Sequence, residues 1–383
     1  MRMGFEHAIR ASKRAESIVC QITLADGHRG HGEGAPRPYV TGEDLDDCWR
    51  TLSELRLPAQ IPAIADGHSL ARFVSQSVAH VVDEPGRIVR NAARTALELA
   101  LLDALGRSLR IELSRFLAQW SGFPPPTRDC CHYSLVVGRG LLKSPDLLRT
   151  LRDRYRHRAI KIKVGFGLHE DLANLGLVRD IFGTDVDIRV DANRSFDLVQ
   201  ARQLLTRAHA LGVRSIEDPL RGATLTAMAP QLRQLRRDVD CHVILDEPVR
   251  TLSEARLAIA EDIVDGFNIR ISKCGGLLSS LRMARIARDS RIDVQLGCQV
   301  GETAILSAAG RFFAFAVDEL RHAEGSNEAL KWQPEHHINR HDLTYGQHGA
   351  APALTGHGLA IDIIDKRLAA LANETIEVPL AQH

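Results

Sequence analysis

Three acidic residues stand at similar intervals in the middle of the chain, and each closes a short apolar segment. Asp191, Glu217 and Asp246 are 26 and 29 positions apart. If three carboxylates converged in a site of low dielectric, their repulsion would force one to take up a proton unless a cation lay between them. Oxygen ligands without His or Cys suit a hard cation, and Mg²⁺ binds a few carboxylates while leaving positions open for substrate. The pattern therefore predicts a Mg²⁺ site in which Mn²⁺ can substitute.

Lysine is rare in this chain and is concentrated near these acids. Of 49 Lys and Arg residues, seven are lysines, and Lys161, Lys163 and Lys273 fall in apolar, strand-like segments. Arginine stays protonated in proteins, whereas burial and neighbouring cations can tune a lysine to act as a base. Because side chains alternate along a strand, Lys161 and Lys163 point to the same side. These three lysines are the candidates for proton transfer.

The elements that would position these residues follow a β/α repeat. From Cys131 onward, short apolar segments alternate with amphipathic helices at a period of roughly 25–30 residues. Such units form a parallel barrel with its active site at the C-terminal ends of the strands. The predicted strands cover residues 132–137, 159–164, 187–190, 215–217, 243–245, 266–271 and 294–296, with an eighth near 319–323.

Each candidate also has an ordinary structural interpretation. A single acid at a strand end is commonly a helix N-cap or part of a surface salt bridge, and a lone lysine often extends its amine to solvent. The order along the chain favours chemistry instead. A lysine pair ends strand two, the acids end strands three to five, and Lys273 follows strand six. A metal-bound substrate carboxylate would lie between the lysine pair and Lys273.

Two further segments flank the repeat. Residues 1–125 are expected to form an α+β module, with a strand over 17–24, a mobile loop over 30–34, and helices over 43–55, 67–82 and 91–105. The stretch after about residue 329 lacks the repeat. The predicted fold class is therefore α/β: a TIM-like barrel of seven or eight β/α units over 126–328, an N-terminal capping domain over 1–125, and a C-terminal segment over 329–383 that packs back on the capping domain.

Composition and charge exclude several classes of function. Hydrophobic residues make up 44% and charged residues 25%, and the formal net charge is +1, so no global field attracts nucleic acid or a membrane surface. No apolar run approaches the ~20 residues that cross a bilayer, and residues 1–14 lack the apolar core of a secretory signal. Seven cysteines without a CxxC pair favour reduced thiols. We expect a cytoplasmic enzyme with a small-molecule carboxylate substrate.

At these motifs the chain resembles the enolase superfamily, in the branch that contains muconate-lactonizing enzymes, dipeptide epimerases and o-succinylbenzoate synthases. The barrel motifs that match in order are Lys161-Ile162-Lys163, Asp191-Ala192-Asn193, Glu217-Asp218-Pro219, Asp246-Glu247 and Lys273-Cys274-Gly275-Gly276. Residues 30–34 resemble the first hairpin of that branch's capping domain, and residues 96–106 resemble its barrel-facing helix.

The resemblance implies a role for each motif. It implies three Mg²⁺ ligands, Asp191, Glu217 and Asp246. It implies an acid/base lysine on each face of the substrate, Lys163 and Lys273. Lys161 is expected to lower the pKa of Lys163 and to hold the substrate carboxylate. It implies two residues that orient the ligands and lysines, Asn193 and Glu247. Removing a proton beside a carboxylate builds a second negative charge there, which a divalent cation and an ammonium stabilise.

The resemblance leaves the reaction open. Two opposed lysines permit racemisation or epimerisation, whereas one suffices for muconate-type cycloisomerisation or for the dehydration that o-succinylbenzoate synthase performs. Outside enzymes, the alternative is a barrel that only binds a carboxylate metabolite, and retention of every lysine and acid argues against it. Dipeptide epimerases carry Asp-x-Asp after strand eight. This chain has Ala323-Glu324-Gly325-Ser326, which disfavours a dipeptide, and we interpret Glu324 as an ordinary surface acid.

Specificity is expected to come from the N-terminal module. Residues 30–34 are the predicted lid over the barrel mouth. The polar side chains that could extend from the lid toward a substrate are Arg29, His31, Arg37 and Tyr39. Of these, Arg29 and Tyr39 are the candidates for substrate binding. Glu302 is a further candidate, as the acid at the end of strand seven, with Gly301 as the alternative at that position. We also expect a homo-oligomer.

Overall fold

The computed structural model describes residues 5–6, 11–12, 15–57, 61–84, 88–125 and 127–378. The N-terminal part contains β1 (Phe5–Glu6), β2 (Ala11–Ser12), β3 (Ile18–Thr23), β4 (Arg29–Gly34), α1 (Pro38–Thr41), α2 (Leu45–Ser53), α3 (Gly67–Val78), α4 (Asn91–Ser108) and α5 (Leu113–Ser121). Asp44 and Asp66 are the N-cap residues of α2 and α3, and the side chain of each forms a reciprocal capping box.

The central part alternates strands and helices. It contains β5 (Cys130–His132), β6 (Leu135–Val137), α6 (Arg139–Leu142), α7 (Pro145–Tyr155), β7 (Ala159–Lys163), α8 (Leu168–Phe182), β8 (Asp187–Asp191), α9 (Leu198–Ala208), β9 (Val213–Glu217), α10 (Leu225–Asp238), β10 (His242–Leu245), α11 (Leu252–Ala260), β11 (Gly266–Ile269), α12 (Leu277–Asp289), β12 (Asp293–Leu296), α13 (Ala304–Ala316) and β13 (Leu320–Ala323).

Strands β6 to β13 form one parallel sheet in chain order. A parallel bridge between Tyr133 and Ala323 joins its two edges, and the Ser134 N–H donates to the Ala323 carbonyl at 2.7 Å. The sheet therefore closes into a barrel, and the predicted fold class of a TIM-like barrel with an N-terminal capping module is confirmed. No helix among the described residues is long and apolar enough to cross a bilayer.

The predicted mobile loop over residues 30–34 is wrong. The segment is strand β4, which pairs antiparallel with β3 along its whole length and is buried from Gly30 to Gly34. A Cβ at Gly32 would lie 1.9 Å from the Ala96 carbonyl oxygen of α4, and one at Gly30 would lie 2.1 Å from the Ala104 nitrogen. The glycines therefore serve close packing of a strand on a helix, and such a strand cannot act as a lid.

The C-terminal part contains α14 (Glu328–Lys331), β14 (Ala350–Pro352) and α15 (Asp365–Leu371). It contacts both other parts of the fold. β14 pairs antiparallel with β5, while the Leu359 N–H donates to the Asp103 carboxylate of α4 at 2.8 Å. The domain boundaries at residues 125 and 328 stay predictions.

Candidate active site

The three predicted metal ligands lie at the ends of adjacent strands. Asp191 ends β8, Glu217 ends β9, and Asp246 follows β10 directly. Asp191 and Glu217 are partners in the β8–β9 register, and Glu217 pairs with Ile244, two positions before Asp246. All three side chains are fully buried. The barrel thus brings these acids to one end of neighbouring strands, as the spacing predicts.

Lys161 lies among these carboxylates. Its Nζ is 3.3 Å from Asp191 Oδ2, 3.1 Å from Glu217 Oε1 and 2.8 Å from Glu324 Oε1. Burial acts to lower the pKa of Lys161, but Glu217, Glu324 and Asp191 outweigh it and raise the pKa above its usual value. The three carboxylates therefore favour the protonated form of Lys161.

Lys163 is held by Asp191 and Asn193. Its Nζ donates to Asp191 Oδ2 at 2.5 Å and to Asn193 Oδ1 at 2.9 Å. The Asn193 amide in turn donates to Glu247 Oε1 at 3.2 Å, so the two predicted orienting residues contact each other, and Asn193 contacts the lysine. Asn193 has φ +43°, a left-handed conformation that Asn tolerates better than most residues.

Lys273 follows β11 in a turn rather than lying within the strand. Its Nζ donates to the Asp246 and Val249 carbonyls at 2.7 and 2.6 Å and lies 3.3 Å from Asp246 Oδ1. Burial lowers its pKa. Because β7 and β11 are the second and sixth of eight strands, Lys163 and Lys273 stand on opposite sides of the barrel, with the acids on the strands between them.

Glu217 is oriented by two amides, one on β11 and one on β12. Asn268 Nδ2 donates to Oε1 at 2.9 Å, and Gln295 Nε2 donates to Oε2 at 2.7 Å. Burial and the neighbouring Asp191 raise the pKa of Glu217. The amides hold the carboxylate in one orientation, which a metal ligand requires.

The interpretation of Glu324 as a surface acid is wrong. The side chain is 5% exposed, and Oε1 accepts a hydrogen bond from Arg189 Nη2 at 2.5 Å in addition to its contact with Lys161. Burial acts to raise the pKa of Glu324, but Lys161 and Arg189 outweigh it and lower the pKa to about 2. Glu324 is therefore a buried anion committed to two cations.

Arg270 is a further site residue that the sequence interpretation missed. Its guanidinium contacts the Asp246 carboxylate, lies 3.6 Å from Glu247 Oε1 and donates to Gln299 Oε1 at 3.1 Å. The signal was present at the strand end, because Arg270 follows two positions after polar Asn268 with apolar Ile269 between them. A period of two places Asn268 and Arg270 on one face.

The three carboxylates at the strand ends are ligands of the kind that a hard cation such as Mg²⁺ prefers. Three buried carboxylates supply only oxygen as ligand atoms. Cationic side chains occupy the space between the acids, with Lys161 against Asp191 and Glu217 and Arg270 against Asp246. Accordingly, within the described part of the chain no three His, Cys, Asp or Glu side chains enclose one point as a metal site would.

Arg29 pairs with the C-terminal part of the chain. It is half exposed, and its guanidinium lies 2.8 Å from the Asp365 carboxylate of α15. Its role in substrate binding stays a prediction. His31, another predicted lid residue, is buried, and its backbone N–H donates to the Asp103 carboxylate at 3.0 Å.

Tyr39 and Glu302 are the other two substrate-binding candidates. Tyr39 is partly buried and directly follows the start of α1. Glu302 is partly buried, accepts a hydrogen bond from the Gln299 N–H and lines a small cavity together with Glu324. Their roles in substrate binding stay predictions. Arg37 Nη1 donates to the Glu16 carbonyl at 3.0 Å.

Comparison with known proteins gives a family match and named relatives. Residues 144–366 match the model of the family described as enolase C-terminal domain-like. A hydrophobic dipeptide epimerase of Enterococcus faecalis is 25% identical over 327 residues, which are 85% of this chain and 86% of that protein. An N-succinyl-L-Arg/Lys racemase of Bacillus cereus is 26% identical over 304 residues, which are 78% of this chain and 76% of that protein.

Solved structures share the whole architecture. The crystal structure of an N-succinyl Arg/Lys racemase from Bacillus cereus superimposes with a TM-score of 0.80 at 23% identity, covering 97% of this chain and 94% of that one. For a 2-chloromuconate cycloisomerase from Rhodococcus opacus the TM-score is 0.82 at 20% identity, covering 97% and 96%. A dipeptide epimerase from Enterococcus faecalis, solved with Mg and the dipeptide L-Leu-L-Tyr, gives 0.75 at 21% identity, covering 94% and 95%.

Proposed function

We propose that this chain, which belongs to the enolase C-terminal domain-like family, inverts a carbon centre by moving the proton beside a substrate carboxylate. The chain is an isomerase of the enolase superfamily, in the branch of its epimerase, racemase and cycloisomerase relatives. The observation that carries the proposal is the placement of Lys163 and Lys273 on opposite sides of the barrel, four strands apart, with buried carboxylates between them.

Each lysine would serve one face of the substrate. Lys273 Nζ, whose pKa burial lowers, would accept the α-proton from one face in its neutral form. Lys163 Nζ, held by Asp191 and Asn193, would deliver a proton to the other face, and the roles would exchange in the reverse reaction. Two bases of this kind allow inversion, because the proton returns from the side opposite to the one it left.

The charge that develops on the substrate carboxylate needs compensation. Asp191, Glu217 and Asp246 would hold Mg²⁺, and a divalent cation there supplies the positive charge that stabilises an enediolate. The Lys161 ammonium, kept protonated by its carboxylate neighbours, would add a second positive charge beside the substrate carboxylate. Asn193 and Glu247 would hold Lys163 in place, since Asn193 donates to Glu247 while it accepts from the lysine.

We propose an N-acylated amino acid as the substrate class. A relative bearing the name N-succinyl-L-Arg/Lys racemase supports it, and so do the ion pairs that Glu324 already makes. A free amino group, as in a dipeptide, needs an anionic partner, and the Glu324 carboxylate is already paired with Lys161 and Arg189. Dipeptide epimerisation is the second candidate, because a dipeptide epimerase is 25% identical over most of the chain. A cytoplasmic homo-oligomer stays part of the proposal.

Chiral chromatography tests this function. Purified protein is incubated with N-succinyl-L-arginine, N-succinyl-L-lysine, L-Leu-L-Tyr or cis,cis-muconate, with EDTA and then with added Mg²⁺ or Mn²⁺. We expect the D-enantiomer of an N-succinyl amino acid to form only with metal. Asp191→Asn should abolish turnover, while Asp187→Asn, at the opposite end of the same strand and exposed, should not. If the protein converts the dipeptide or muconate but neither N-succinyl amino acid, the proposed substrate class is wrong. Undiminished turnover without metal would overturn the mechanism.

A further inference from the structure

Helix α4 of the N-terminal part contacts the barrel segment that carries Lys273. Asn91, Thr95 and Glu98 are spaced four and three positions apart, which places them on one helix face, and all three are buried. The Thr95 hydroxyl lies 3.3 Å from the Ile271 carbonyl, where the segment begins. The Glu98 carboxylate accepts from the Leu278 N–H at 3.1 Å, where α12 begins. One face of α4 therefore spans the whole connection between β11 and α12.

Asn91 makes the most direct contact with the lysine. Its Nδ2 donates to the Lys273 carbonyl at 2.6 Å and to the Arg250 carbonyl at 2.9 Å, which uses both hydrogens of the amide. The Lys273 ammonium in turn donates to the Asp246 and Val249 carbonyls. The Asn91 amide thus connects the backbone of Lys273 to the loop after β10 that holds its ammonium group.

Two glycines allow this approach. Gly275 and Gly276 have φ +80° and +112°, which side-chain-bearing residues rarely adopt. A Cβ at Gly275 would lie 2.8 Å from Asn91 Oδ1, and one at Gly276 would lie 2.3 Å from Glu98 Oε1. The segment after Lys273 therefore lies directly against the polar face of α4, without room for a side chain between them.

We propose that Asn91 is a positioning residue for Lys273, supplied by the N-terminal part of the chain and acting on one of the two bases only. Its kinetic consequence rests on the proposed two-lysine function. Lys163 stands four strands away and is held by Asp191 and Asn193. Loss of the Asn91 amide should therefore loosen the Lys273 segment and leave Lys163 in place.

Backbone hydrogen exchange tests the positioning without a substrate. Asn91→Asp keeps the side-chain shape but turns a carboxylate oxygen toward two carbonyls. If this variant folds poorly, Asn91→Ala, which removes the amide, takes its place. The probes are the Cys274 and Gly276 amides, which donate to the Arg270 and Ile271 carbonyls. Because the change removes two hydrogen bonds to this region, we expect exchange at these amides to accelerate about tenfold or more. Unchanged protection in both variants would overturn the proposal.

The matched control is Asp103→Asn, a nearly isosteric change at another buried polar residue of the same helix. Asp103 accepts from the His31 and Leu359 amides, at the end of α4 remote from Lys273. This variant should leave the Cys274 and Gly276 amides protected. Equal acceleration in the control and in the Asn91 variants would mean that any damage to α4 loosens the segment, and the specific role would be wrong.

Proton exchange in D₂O gives a second, functional readout. With the two enantiomers of N-succinyl-arginine as probes, Asn91→Ala should slow α-proton exchange about tenfold for the enantiomer that Lys273→Ala fails to exchange, and by less than about twofold for the other. Equal slowing of both enantiomers would contradict a role limited to Lys273. If the unaltered protein exchanges neither, the proposed function fails on this substrate class, and the protection of Cys274 and Gly276 alone decides the role of Asn91.

Discussion

Glu324→Gln should destabilise the fold, because it removes the anion from a buried cluster. The Glu324 carboxylate lies 2.5 Å from Arg189 Nη2 and 2.8 Å from Lys161 Nζ, and both cations are at most 2% exposed. Glutamine keeps the volume and one acceptor oxygen but no charge. Lys161 retains Glu217 and Asp191 as partners. The lost contact therefore falls mainly on Arg189, which otherwise bonds the neutral Ser134 hydroxyl.

The structure sets the expected magnitude. Removing one partner of a buried ion pair costs about 3–5 kcal/mol, because the other charge stays buried without compensation. The remaining acceptor oxygen favours the lower end, so we expect Glu324→Gln to lower the free energy of unfolding by about 3 kcal/mol. Arg189→Met should cost less, because Glu324 keeps the Lys161 ammonium. The double variant should cost about 1–3 kcal/mol less than the sum of the single changes.

Urea unfolding, followed by circular dichroism and by tryptophan fluorescence, measures these free energies where the two probes give coincident transitions. The exposed pair Arg340 and Asp362, at 2.6 Å with both side chains more than half exposed, is the matched control and should show no measurable coupling. Additive effects of Glu324→Gln and Arg189→Met would refute the reasoning, because residues that share a buried contact must couple.

Three further outcomes follow from the same structure. Gly32→Ala should destabilise the protein by at least about 2 kcal/mol in thermal unfolding, because its Cβ would meet the α4 backbone, whereas Gly140→Ala, with no atom within 4 Å, should not. Burial raises the pKa of Glu328 from 4.5 to about 8, so the folded state holds a proton that the unfolded state releases. Glu328 should therefore contribute a fall in stability of about 1.4 kcal/mol per pH unit between those values, and Glu328→Gln, unlike exposed Glu335→Gln, should reduce the measured slope by that amount. Isothermal titration should detect Mg²⁺ binding to the unaltered protein and none to Asp191→Asn.

The strand ends could be predicted because their chemistry is local. Asp191, Glu217 and Asp246 each close an apolar run, and the closure of a parallel barrel by itself brings such positions to one end. The recognition of the superfamily and the prediction of an isomerase are confirmed by the family match and the named relatives. The individual roles of the lysines and acids stay predictions.

The β4 segment was misjudged because alternating glycines indicate mobility and close packing equally well. The deciding signal lies elsewhere in the chain, where α4 presents a small side chain every four residues. The glycines of β4 pack on that stripe, which consists of Ala92, Ala96, Ala100 and Ala104. Only the combination of the two patterns, about seventy positions apart, predicts a strand lying directly on a helix.

Glu324 was misjudged, and Arg189 was missed, for a different reason. They are 135 positions apart in the chain, and no local periodicity relates the end of the last barrel strand to the interior of the third. The period of two that places Lys161 and Lys163 on one face also places Arg189 beside Asp191. A buried arginine requires an anion, and that requirement is the signal that leads to Glu324.

The most direct test of the central claim is α-proton exchange in D₂O with the two enantiomers of N-succinyl-arginine, followed by NMR for Lys163→Ala and Lys273→Ala. Because the lysines stand on opposite sides of the barrel, each variant should lose exchange from one enantiomer by about a thousandfold or more, while some exchange from the other remains, and the two variants should differ in which enantiomer is lost. If both variants lose exchange from both enantiomers equally, one lysine is the only base and the two-base account is contradicted.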